Sequence, residues 1–129
     1  MKLFEIVDQY LPCPFLNSLE KRVLFHGTSA KFEKFERKTH GIYVTPIRSW
    51  AKMHYGSIII PLYANITKMY KPTEEEIDLF YDVAYTEISV MLKHLSAQGY
   101  NGCMFGGESE SIVLFNNVDM MHAVTGQQL

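Results

Sequence analysis

Arg22-Val23-Leu24-Phe25-His26-Gly27-Thr28-Ser29 runs from an unbroken apolar core into a polar exit. Three consecutive apolar residues flanked by charge read as a buried strand over 22–26, with Gly27 as its stop. By itself a histidine at such a strand end is ordinarily a hydrogen-bonded structural residue. The company it keeps along the chain gives it a different weight.

Working outward, Gly41-Ile42-Tyr43-Val44-Thr45-Pro46 reads as a second short strand. Pro46 suits the first turn of a helix reaching about Tyr55. Residues 57–64 are rich in β-branched and aromatic residues and form a third strand. Thr73-Glu74-Glu75-Glu76 fits a capping box, and its acids suit the positive end of a helix dipole. Ile77, Phe80, Ala84, Ile88, Met91, Leu92 and Leu95 then keep a period near 3.6 residues. Gly99 ends that helix. The chain returns through Gly102-Cys103-Met104-Phe105, turns at Gly106-Gly107 and enters Ser111-Ile112-Val113-Leu114-Phe115. A last strand is expected over 120–124. Upstream, Leu3, Phe4, Val7 and Leu11 predict an amphipathic helix over 2–11, ended by Pro12 and Pro14. Residues 28–40 are polar and basic, with Phe32 and Phe35 spaced for one helical face. The expectation is an α+β domain over 22–129, preceded by a helical extension over 1–21.

The chain has 129 residues, enough for one core of moderate size. Net charge is −2, so no strong field draws nucleic acid to the whole molecule. The charge is uneven. Residues 1–72 carry 11 Lys and Arg against 5 Asp and Glu, and residues 73–129 carry 1 against 9. Two solvated faces account for this simply; the sharper alternative is a basic part for an anionic ligand and an acidic part for a cationic one. Two cysteines, Cys13 and Cys103, are too few for a disulfide scaffold. The acids in Met1-Lys2-Leu3-Phe4-Glu5-Ile6-Val7-Asp8 do not suit a signal peptide, and no apolar run approaches membrane-spanning length. A reduced, cytoplasmic setting is expected.

Three segments taken in order carry a resemblance: His26-Gly27-Thr28, Gly41-Ile42-Tyr43-Val44 followed by Ala51 and Tyr55, and Glu110-Ser111-Ile112-Val113-Leu114. The set resembles the His-Tyr-Glu branch of the ADP-ribosyltransferase superfamily, which includes the poly(ADP-ribose) polymerases. It spans about residues 22–120. It is most similar to small phage and bacterial versions, where the middle strand likewise ends in Tyr-x-Asn-Ile, here Tyr63-Ala64-Asn65-Ile66. The resemblance implies an α+β fold with a split, mostly antiparallel β core flanked by helices. It also implies transfer of one ADP-ribose from NAD⁺ to a macromolecule, expected to be a protein, with no metal.

Each residue then acquires an implied role. Tyr43 and Tyr55 would sandwich the cationic pyridinium, since an aromatic face attracts a cation. Gly27 would let backbone groups reach the carboxamide. His26 would bond the adenosine ribose, with Thr28 beside it. Cleavage builds positive charge on the sugar, as in glycoside hydrolysis, and the Glu110 carboxylate would stabilise that charge where it develops. Glu108 stands two residues earlier, on the same face if both lie on a strand. Glu-x-Glu marks some arginine-modifying members, so a guanidinium acceptor is implied through Glu108. Those members carry Arg rather than His in the first motif, and the two signals therefore point to different branches.

Lys31, Lys34, Arg37 and Lys38 read as a solvated face or as a contact for the NAD⁺ pyrophosphate. His40, His54, His94 and His122 lack zinc-ligand spacing, and Gly106-Gly107 lacks the rest of a phosphate loop. Trp50 and Met120-Met121 read as core. Three rivals share the motifs: a nucleic-acid-modifying enzyme on the same fold, a catalytically inactive binding protein, and a phage structural protein keeping only the shape.

Overall fold

A computed structural model describes residues 10–28, 41–54, 56–82, 85–107, 110–115 and 117–129, without the side chains of 79–89. The protein is a small mixed α+β structure. Its strands are β1 (Leu24–Thr28), β2 (Ile42–Val44), β3 (Ile58–Ala64), β4 (Met69–Tyr70), β5 (Gly102–Gly106), β6 (Ser111–Leu114) and β7 (Met120–His122). Its helices are α1 (Arg48–His54), α2 (Glu74–Asp82) and α3 (Tyr85–Ala97).

The strands form two sheets, ordered β1-β3-β7 and β2-β6-β5-β4. All pairings are antiparallel except β4 with β5. Among the described residues one bridge joins the sheets: Phe25 and Thr45 exchange backbone hydrogen bonds at 2.8 and 3.1 Å. That contact brings the start of β1 beside the end of β2.

Alternation along β6 sorts the core into two layers. Ile112 and Leu114 face the other sheet and pack with Leu24, Ile42, Val44, Leu62 and Met120. Val113, with Phe115 just beyond the strand, faces the opposite way and packs with Cys103 and with Leu92 and Leu95 of α3. Burial pushes the Cys103 thiol up to about 12, so it serves as a small apolar residue. Met120 is core as expected, while Trp50 is half-buried on α1.

The local signals act through identifiable bonds. The Thr73 amide donates to Glu76 at 2.9 Å and the Glu76 amide donates to the Thr73 hydroxyl at 3.2 Å, closing the capping box. Gly99 adopts φ 94° just beyond α3. Gly41, just before β2, adopts φ 104°, and a Cβ there would stand 2.0 Å from the Leu114 carbonyl oxygen, so a side chain would force the backbone to shift. Buried Asn101 accepts from the Thr67 and Lys68 amides and donates to the Asn65 carbonyl, tying the turn after β3 to β5.

Several boundaries differ from expectation. Gly27 does not stop β1; the strand runs on to Thr28 because Gly27 and Thr28 pair with Ile59 and Ile58 of β3. Arg22 and Val23 precede it. The last strand ends at His122, where the ring Nδ1 accepts from the Val124 and Thr125 amides and turns the chain. β4 was not expected: two residues are too short to show a period. The expected helix over 2–11 lies almost wholly outside the described residues. Residues 10–21 are stitched to the first sheet. Leu11 N donates to Ala123 O, and the Ser18 hydroxyl donates to Ala64 O.

Candidate functional site

The split between the sheets brings the first two motifs together. His26 sits on β1 one residue past the Phe25–Thr45 bridge. Its Nδ1 lies 3.0 Å from the Tyr43 carbonyl oxygen. A carbonyl only accepts, so Nδ1 carries the proton, and in the neutral ring Nε2 holds the lone pair. His26 is thus fixed in tautomer and orientation by the backbone of the second motif. Gly27 and Thr28 follow His26 on β1, where they pair with Ile59 and Ile58 of β3.

Tyr43 pairs with Val113 of β6, which pairs in turn with Cys103 of β5. Its ring therefore stands on the α3 side of the second sheet. There it lies nearly parallel to Phe105, with centroids 6.5 Å apart and planes 23° apart. A register shift between Met104 and Gly106 sets Phe105 there, and bulges of this kind commonly re-aim a side chain. Sequence reading passed over Phe105 as strand filling. A run such as Cys103-Met104-Phe105-Gly106-Gly107 shows no bulge before its partner strand is known.

Glu110 lies directly before β6, in a turn where its amide bonds the Gly107 carbonyl at 3.3 Å. Its φ is +49°, a left-handed conformation uncommon for a residue with a side chain. The expected same-face alignment with Glu108 assumed a strand at both positions. Glu110 belongs to the turn, so alternation does not govern it. The pairing of Ile112 with Val44 places Glu110 beside the end of β2. Its Oε1 accepts from Arg22 Nη2 at 3.1 Å, and Arg22 Nε donates to Glu20 at 2.5 Å. The two carboxylates hold the Arg22 guanidinium more firmly protonated than an ordinary arginine. Arg22 carries no local sequence signal of this role, since only the fold brings it to residue 110.

Tyr55, Glu108, Lys31, Lys34, Arg37, Lys38 and His40 lie outside the described residues. The remaining histidines serve separate places. His54 lies against Trp50, with centroids 4.0 Å apart and planes tilted by 31°. His94 meets Gln98 at the end of α3, and His122 caps the turn after β7. Among the described residues no three His, Cys, Asp or Glu gather to hold a metal ion. No helix among them is long and apolar enough to cross a membrane.

Comparison with protein-family models, with curated proteins and with solved structures finds no match to this chain.

Proposed function

We propose that the protein is an NAD⁺-dependent mono-ADP-ribosyltransferase built on an ADP-ribosyltransferase-like split β core. The observation that carries the reading is the His26–Tyr43 hydrogen bond across the split, because it unites two of the three motifs. Glu110 supplies the third, one residue before the strand that pairs with β2.

On this reading His26 Nε2 accepts from a hydroxyl of the adenosine ribose, its ring locked by the Nδ1 bond. The Tyr43 face receives the pyridinium, and Tyr55 is the expected second face. Gly27 lets the carboxamide approach backbone groups. As the bond from the ribose anomeric carbon to nicotinamide breaks, nicotinamide leaves with the electron pair. Positive charge grows on the sugar, and Glu110 stabilises it electrostatically. An acceptor nucleophile then bonds to that carbon and gives up its proton, with Glu110 oriented to polarise it. The acceptor is a protein side chain; a guanidinium would be met by Glu108.

One feature supports a second acceptor class. Helix α1 carries Arg48, Lys52 and His54 and no acid, with exposed Met53 and half-buried Trp50 beside them. Cations interleaved with an aromatic ring suit single-stranded nucleic acid.

Labelled NAD⁺ incubated with the protein and a bacterial lysate separates these readings. A discrete labelled band with wild type and none with Glu110→Gln supports transfer. Loss of the band to protease identifies a protein acceptor, and loss to nuclease a nucleic acid. Absence of any label and of released nicotinamide refutes the proposal.

A further inference from the structure

We infer that Arg22 is a positioning residue for Glu110, itself held in place by Glu20; this role rests on the transferase reading above. An arginine just before a strand, with half its side chain exposed, ordinarily samples many rotamers. Here both ends of its guanidinium are engaged. Nε donates to Glu20 Oε1 at 2.5 Å, and Nη2 donates to Glu110 Oε1 at 3.1 Å.

Glu20 is a firm anchor. Its side chain is only 11% exposed, and its amide donates to the Ser18 hydroxyl oxygen. That hydroxyl donates to Ala64 O at 2.7 Å and accepts from Ile66 N at 3.0 Å. A line of fixed groups therefore runs from the end of β3 through Ser18, Glu20 and Arg22 to the Glu110 carboxylate. At the far end, Glu110 is held at φ +49°. Such a conformation persists where its surroundings determine it.

The Arg22–Glu110 pair, exposed on both sides, contributes little to folding stability. Its geometry is another matter, because the planar guanidinium, held at Nε by Glu20, presents Nη2 to Glu110 Oε1 in one direction. Displacing a reacting group by about 1 Å costs on the order of 100-fold in rate. The pair therefore matters for where Glu110 points, more than for whether the chain folds.

The test is steady-state nicotinamide release by the full chain with NAD⁺, for wild type, Arg22→Ala, Arg22→Lys, Glu110→Gln and the Arg22→Ala/Glu110→Gln double variant. Arg22→Ala is expected to lower kcat by about 10- to 100-fold while KM stays within about threefold. Its melting temperature should fall modestly, because the Glu20 carboxylate, 11% exposed, loses its partner, while the variant stays folded. Arg22→Lys should be intermediate, and added methylguanidine should restore part of the Arg22→Ala loss. The double variant should be no slower than Glu110→Gln. An unchanged kcat, a loss confined to KM, or additive losses in the double variant would overturn the role. The nitrogen NMR signal of the Arg22 guanidinium, with and without Glu110→Gln, keeps the two ideas apart. A perturbed signal in a protein that releases no nicotinamide discards the transferase reading and leaves the contact as a structural pair. An unperturbed signal discards the positioning role whatever the activity.

Discussion

His26 donates its Nδ1 proton to the backbone carbonyl of Tyr43 at 3.0 Å, so the ring of one motif is set by the main chain of the next. A bond of this kind contributes about 1 kcal/mol to folding. Its larger consequence is orientation. His26→Ala should lower stability only modestly and weaken NAD⁺ binding by about tenfold or more, as loss of one well-placed hydrogen bond to ligand does. Titration calorimetry beside a thermal melt checks this. Equal NAD⁺ affinity in the two proteins would remove His26 from the site.

Phe105 stands in near-parallel register with Tyr43 at 6.5 Å between centroids. Aromatic faces attract a cation by about 0.5–2 kcal/mol each. Phe105→Ala should therefore weaken binding of the 1-methylnicotinamide cation by roughly 2- to 30-fold, and Phe105→Tyr should retain it. Ligand-observed NMR gives the two affinities. An unaffected Phe105→Ala variant would mean that the pair only fills space beside α3.

At Gly41 the backbone itself decides. With φ at 104° and a Cβ only 2.0 Å from the Leu114 carbonyl oxygen, Gly41→Ala must displace β2 from β6. A loss of about 2–4 kcal/mol is expected, read by chemical denaturation. A loss under about 0.5 kcal/mol would show that the start of β2 can relax freely.

How much of this was legible beforehand depends on the range of the interactions involved. Capping at Thr73 and Glu76 and the glycine stop at Gly99 act within a few residues, and the chain displays them directly. The apolar runs of β1, β3 and β6 were equally plain. Gly27 misled, since a glycine that interrupts an apolar run looks like a stop until β3 is seen to pair with it. Glu110 was singled out through its motif, while the turn that takes it off the strand was not foreseen. Arg22 reaches it across 88 positions, and Phe105 owes its direction to a register shift between two strands. Neither kind of information is written locally.

His122 gives the fold a pH dependence with a definite sign. Burial holds its pKa below the ordinary histidine value, and its Nδ1 must stay unprotonated to accept from the Val124 and Thr125 amides. The unfolded chain therefore binds a proton more readily than the folded one. This contribution is fully present above about pH 6.5 and declines as pH falls below it. Melting temperatures between pH 8 and 5, compared with His122→Asn, should show a steeper acid decline in wild type. Parallel curves would assign the decline to other groups.

The central claim turns on Glu110, and the most direct measurement is nicotinamide release from NAD⁺ by purified wild type and by Glu110→Gln. The account predicts release by the wild type and a loss of at least about 100-fold in the variant, the scale on which removing one electrostatic stabiliser acts. Equal release by both proteins, or none by either, would contradict it.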